Sequence, residues 1–238
     1  MGKIMQRGMV RKRSLEIALS MVEPHPRPKP HLEQYTIPPE VAAEILFIAT
    51  YVFKDIEGKR VIDLGCGTGR LAIGAALLGA KEVVGVDIDR IAVETAKKNA
   101  EKMDVEDKIH WIIGDIKAIN GVFDTVLQNP PFGVQRRGAD RKFLKKALEL
   151  GKRIYSLHKS GKTIVKGNMA KSATTPRTFI TKFIERYGGK VITIQPMEMT
   201  LPMMFKFHRK RRHRFKVDLY VIEKKISKRF IDGHEPEI

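Results

Sequence analysis

Between Arg60 and Leu157 the chain alternates short β-rich runs with helical patterns. That order admits few folds, because it calls for parallel strands joined by helical crossovers. The runs are Arg60–Leu64, Glu82–Asp87, Lys108–Ile113, Phe123–Gln128 and Arg153–Leu157. Helices separate most of them. One runs from Arg70 to Leu78 and is closed by Gly79; one is capped by Asp89, with Ala92, Ala96, Asn99 and Met103 on a face; one runs from Arg141 to Leu150 and stops at Gly151. Further on, Thr175 reads as an N-cap and Pro176 as the first residue of a helix to Tyr187, ended by Gly188-Gly189. A sixth strand is expected at Lys190–Gln195. A last one is expected at Phe215–Glu223, where Val217, Leu219 and Val221 alternate with Asp218 and Tyr220. The fold class is therefore α/β, a doubly wound sheet of seven strands.

The 238 residues suit one such domain with a modest extension, and with 42% hydrophobic and 30% charged residues they can bury a proper core. No apolar run approaches the length that crosses a bilayer, so no membrane is expected. The first thirteen residues carry Lys3, Arg7, Arg11, Lys12 and Arg13 but no apolar segment of the secretory kind, so a cytoplasmic location is expected. Cys66, the single cysteine, excludes an internal disulfide and a cysteine-only zinc site, and reads as small-residue packing; no metal is expected. Leu15, Ala18, Leu19 and Val22 form a short helical pattern. Alternate prolines from Pro24 to Pro30 then favour an extended, stiff linker. From Pro38 a second helix begins, with Val41, Ile45, Ile48 and Val52 as one apolar stripe.

Three elements fall at the ends of successive strands. Asp63-Leu64-Gly65-Cys66-Gly67-Thr68-Gly69 sits where the first strand turns into the first helix, and its glycines let a ligand touch the backbone. Asp87, twenty residues after Gly67 and followed by Ile88, can accept both hydroxyls of a ribose; Asp89 is the better-placed helix cap. After the third strand, Asp115 can accept from the exocyclic amine of an adenine while Ile116 packs on its ring. Together they converge on the crevice where open α/β sheets bind ligands. The arrangement resembles the class I S-adenosylmethionine-dependent methyltransferases, whose first motif D-L-G-C-G-T-G approaches. The resemblance implies S-adenosyl-L-methionine as cofactor and a Rossmann-like sheet that is mostly parallel with its last strand antiparallel, reached through a hairpin.

Asn129-Pro130-Pro131-Phe132-Gly133 follows the fourth strand. Consecutive prolines fix the backbone, so the Asn129 side chain and the Pro130 carbonyl form a rigid pair of acceptors. An aromatic amine is a poor nucleophile because its lone pair is delocalised. Two acceptors on its hydrogens would favour a pyramidal nitrogen with the lone pair aimed at the methyl group. Phe132 would stack the target base, which must be unpaired or flipped out to reach a crevice.

Leu32-Glu33-Gln34-Tyr35, Asn129 to Gly133, Tyr155-Ser156-Leu157-His158-Lys159 and Leu201-Pro202 through Lys210 are together similar to the methyltransferase-like-five family. Those are adenine-N6 methyltransferases of small-subunit ribosomal RNA and their archaeal relatives. The resemblance implies that Gln34 and Tyr35 approach the methionine end of the cofactor, and that a small zinc-binding activator protein can be a partner. It departs at one place: the family's Thr two positions after the Tyr is Ile37 here, with Thr36 directly after Tyr35. It divides the chain into an extension and linker (1–31), the methyltransferase domain (32–226) with a basic hairpin at 206–216, and a tail (227–238).

Net charge is +18, and such an excess of cations makes a polyanion the expected partner. From Lys206 to Lys216, seven of eleven residues are Lys or Arg and none is acidic. Lys206, His208, Arg209, Lys210, Arg211, Arg212 and Arg214 are therefore expected to bind RNA from an exposed hairpin. The leading reading is an RNA adenine-N6 methyltransferase. The rivals are a guanine-N2 RNA methyltransferase, a glutamine methyltransferase of release factors, and an RNA-binding assembly factor without turnover.

Overall fold

A computed structural model of the chain describes residues 10–133, 138–160, 175–202 and 212–225, except for the side chains of 201, 202, 212 and 213. Seven strands form one sheet: β1 (Arg60–Leu64), β2 (Glu82–Asp87), β3 (Ile109–Ile113), β4 (Phe123–Gln128), β5 (Gly151–Lys159), β6 (Gly189–Pro202) and β7 (Arg212–Lys224). Their spatial order is β3-β2-β1-β4-β5-β7-β6. The first five are parallel, and β7 runs antiparallel between β5 and β6. The order reverses between β1 and β4, so their carboxyl ends flank a crevice at the switch point.

The central strands are buried on both faces, as parallel strands between helices must be. Val61 and Val83 face one core with Leu19, Leu46 and Ile73; Ile62, Leu64, Val84 and Val86 face the other with Leu144, Ile154 and Ile184. On the first face lie α1 (Lys12–Ser20), α2 (Pro39–Phe47) and α3 (Arg70–Leu77), with α4 (Arg90–Lys102) beside α3. On the second lie α5 (Ala139–Leu150) and α6 (Pro176–Arg186). Asp89 caps α4 by accepting from the Ile91 N–H (3.0 Å), and Thr175 caps α6 by accepting from the Thr178 N–H (3.2 Å). Among the described residues no helix is long and apolar enough to cross a membrane.

Three departures from the sequence reading have physical causes. The expected stripe on the second helix breaks at Val52, which is 63% exposed. Residues Ile48–Val52 form a π-turn there, whose wider winding rotates Val52 off the buried face. The sixth strand continues through Pro196 to Pro202; β6 is the sheet edge, where a missing N–H breaks no ladder. Beyond the last β5 pairing, Lys159 with Val217, it forms with β7 a two-stranded ribbon that projects past the sheet.

The N-terminal helical pattern forms α1, and the third departure is the proline-rich stretch after it, read as a stiff linker. Leu15, Leu19 and Val22 are essentially inaccessible and share the core of the main sheet. The proline-rich stretch is then tied down as a strap. Asn99 of α4 accepts from the Glu23 N–H (3.1 Å) and donates to the Glu23 carbonyl (3.1 Å) and to the Thr68 carbonyl (3.0 Å). Arg70, the first residue of α3, is 7% exposed and donates to the carbonyls of Leu19 (3.1 Å), Val22 (2.6 Å) and Ile37.

Candidate active site

The carboxyl ends of β1 to β4 open into a cavity of about 350 Å³. The loop after β1 forms its floor. Gly65 (φ 71°) and Gly67 (φ 54°) take left-handed backbone that a side chain would strain, and nothing stands within 4 Å of where a Gly67 Cβ would be. Gly69 plays another part. At φ 88° it is the N-cap of α3, and a Cβ there would sit 2.6 Å from the Trp111 ring, so Gly69 packs beneath β3 and does not line the cavity.

Because Gly69 has no capping side chain, Asp63 supplies one from the end of β1: its Oδ2 accepts from the Ala72 N–H (3.1 Å) in the first turn of α3. Burial pushes the Asp63 carboxyl up to about 7, against that hydrogen bond and with help from the nearby Asp87 charge. Asp87 accepts from the Gly67 N–H (2.9 Å) and the Asp89 N–H (2.9 Å), which fixes it against the glycine loop. Burial still raises it above the ordinary carboxylate range. Each carboxylate oxygen has two acceptor positions, so one on each remains for a hydroxyl.

Asp115 has one oxygen on the Lys117 N–H (2.9 Å), leaving the other open to the cavity mouth. Ile116 is buried beside it and Ile88, at 58% exposure, presents an apolar surface after β2. The Thr68 Oγ1 and the Asn129 Oδ1 are buried on the cavity wall with no hydrogen-bond partner among the described residues. Buried orphans of this kind cost roughly 1–3 kcal/mol each, which a polar ligand recovers. Carboxylates for hydroxyls, open backbone, apolar faces for a ring and unpaired polar atoms together fit a nucleoside joined to an amino acid.

The strap forms the opposite wall. Gln34, expected at the methionine end, has its amide engaged at the β2 end: Nε2 donates to Asp89 Oδ2 (2.9 Å) and Oε1 accepts from the Lys29 N–H (2.7 Å). Lys29 Nζ reaches the same Asp89 oxygen (3.0 Å). Burial opposes ionisation of Asp89, but these donors and the Ile91 N–H overcome it and hold the carboxyl at about 2. Tyr35, Thr36 and Ile37 line the cavity, and Ile37 is buried with its carbonyl on Arg70.

Of the acceptor motif, Asn129 and Pro131 line the cavity and Pro130 is buried behind them. Phe132 lies outside the lining; its ring stands edge-on to Phe215 of β7 (5.7 Å, 84°) and packs against the core. Of the predicted basic residues, Lys206 to Arg211 lie outside the described residues, Arg212 begins β7, and Arg214 is exposed 3.7 Å from Glu198. Sequence reasoning missed His25, His31, Lys142 and Phe143 as cavity residues. Phe143 of α5 covers Gly65 so closely that a Cβ there would come within 2.8 Å of its ring. The one signal for His25 was its place between Pro24 and Pro26, where the backbone is held.

Comparison with known proteins agrees with this geometry. Residues 46–130 match the family model described as ribosomal protein L11 methyltransferase. An uncharacterized Methanocaldococcus jannaschii protein is 40% identical over 91% of this chain and 95% of its own length. The rRNA N(6)-adenosine-methyltransferase Mettl5 of Drosophila melanogaster is 35% identical over 89% of this chain and 95% of its own. Among solved structures, PH1948 of Pyrococcus horikoshii, provisionally named an RNA methyltransferase, is 42% identical with a TM-score of 0.80 over 92% of this chain and 100% of that one. With the Drosophila relative matched almost end to end on the fold and motifs described above, the chain belongs to the METTL5-like family of class I S-adenosylmethionine-dependent methyltransferases.

Proposed function

We propose that the protein methylates the N6 amine of adenine in ribosomal RNA, with small-subunit RNA the target that the resemblance favours. The observation that carries this reading is the buried, unpartnered Asn129 Oδ1 on the wall of the cavity that also holds Asp87 and the glycine loop. The Drosophila relative named above as an rRNA N(6)-adenosine-methyltransferase supports it.

S-adenosylmethionine supplies an electrophilic methyl group when bound. Asp87 would accept from its ribose hydroxyls, Asp115 from its adenine amine, and Ile88 and Ile116 would enclose the ring. The Asn129 Oδ1 and the Pro130 carbonyl accept the two hydrogens of the target amine, which localises the nitrogen lone pair. Holding both acceptors on a proline-fixed turn removes the entropy of finding that geometry. Phe132, fixed edge-on by Phe215, stacks the target base. The cations between β6 and β7 draw the RNA phosphates to the projecting ribbon.

Transfer of labelled methyl groups to ribosomal RNA, followed by digestion to nucleosides, tests the reading. Label in N6-methyladenosine is expected. Label in N2-methylguanosine or only in protein would replace it with a rival chemistry, and no label in any fraction would favour an assembly factor.

A further inference from the structure

His25 is the residue on the cavity wall whose chemistry the proposed function leaves unused. It is 6% exposed and lines the cavity beside the β2 end. Its Nδ1 accepts from the Arg27 N–H (3.0 Å), so in the neutral ring the proton sits on Nε2. Among the described residues Nε2 has no hydrogen-bond partner; Asp89 Oδ2 stands 3.5 Å away, at ion-pair range, and already takes bonds from Gln34 and Lys29. A buried N–H donor is thus held at the cavity wall with no acceptor at bonding distance.

The chemistry of a ribose completes the pair. A hydroxyl is both a donor and an acceptor, whereas the Asp87 carboxylate can only accept. Hydroxyls bound by Asp87 alone would keep their lone pairs buried and unpaired. We infer that His25 Nε2 donates to a ribose hydroxyl of the bound cofactor, beside the Asp87 carboxylate that accepts from it. The inference rests on the ribose role proposed above for Asp87. It assigns to the proline-rich strap a direct part in cofactor recognition.

Calorimetric titration with S-adenosylhomocysteine and with its 2′-deoxy and 3′-deoxy analogues tests it on the full chain. His25→Asn keeps an oxygen near the Nδ1 position to accept from Arg27 and removes the Nε2 donor; His25→Gln places an amide donor near Nε2. The wild type is expected to prefer the parent ligand to at least one deoxy analogue. His25→Asn should lose about three- to tenfold affinity for the parent and little for that analogue, while His25→Gln should restore the preference. Equal loss on all three ligands would mean that His25 only anchors the strap, and no loss would mean that it makes no ligand contact; either overturns the inference while Asp87 keeps its role. A wild type indifferent to both hydroxyls would instead overturn the Asp87 reading itself.

Discussion

Replacing Arg70 with Met should release the N-terminal strap. The guanidinium is nearly inaccessible and bonds three carbonyls contributed by the end of α1, the turn after it and Ile37, two residues before α2. Burial lowers its pKa to about 10, slightly opposed by Glu40, so it is charged at neutral pH and each bond is charge-assisted. Met fills much of the volume but leaves the Val22 and Ile37 carbonyls without donors, while that of Leu19 keeps the Val22 N–H (3.3 Å). Orphaned buried acceptors cost roughly 1–3 kcal/mol each, and some will find water as the strap loosens, so a loss of roughly 3–5 kcal/mol is expected. For a domain of this size that lowers Tm by roughly 6–20 °C. Hydrogen exchange should localise the change to amides between Leu19 and Ile37, with β1 and β4 protected as before. Cofactor affinity should fall as well, because the strap carries Gln34 and Tyr35 into the cavity. Stability within 1 kcal/mol of wild type together with unchanged exchange in that segment would refute the reasoning and make Arg70 a replaceable packing residue.

Two further perturbations separate structural from chemical roles. Gly69→Ala sets a methyl against the Trp111 ring at a left-handed backbone position, so it should destabilise by roughly 2–4 kcal/mol in urea titration, with cofactor affinity in the folded fraction little changed. His158 is buried on β5, with burial lowering its pKa to about 4 against the pull of Asp218. The unfolded chain binds that proton near 6.5 and the folded chain only near 4, so His158 erodes stability as pH falls through that window. His158→Phe should flatten the acid side of the stability curve by roughly 3 kcal/mol between pH 6.5 and 4, read by denaturant midpoints at each pH.

Much of the sheet was legible because its strands are apolar runs between turn residues, and the caps at Asp89 and Thr175 are local signals. The convergence of Gly65, Asp87, Asp115 and Asn129 followed from their places at strand ends, which topology alone brings together. What could not be read depends on long-range bonds. Arg70 looks like an ordinary surface residue at a helix start until the carbonyls of Leu19, Val22 and Ile37 are folded onto it. Gln34 carries no sign that its amide is spent on Asp89 and Lys29. The π-turn that exposes Val52 leaves no periodic trace, and Pro196 argues for a strand end unless the strand is known to lie at the edge. The basic run after Leu201 was plain from charge, yet its core lies outside the described residues.

The central claim is that Asn129 grips the amine without holding the cofactor cavity together. Its side-chain oxygen has no partner among the described residues, so nothing in the fold should miss it. The direct measurement compares Asn129→Ala with the wild type in S-adenosylhomocysteine affinity by calorimetry and in methyl transfer to ribosomal RNA. The account predicts transfer reduced by at least about a hundredfold, the scale of losing an oriented transition-state partner, with affinity within about threefold. Transfer that survives at the wild-type rate would contradict it, as would a loss of transfer fully explained by lost cofactor affinity.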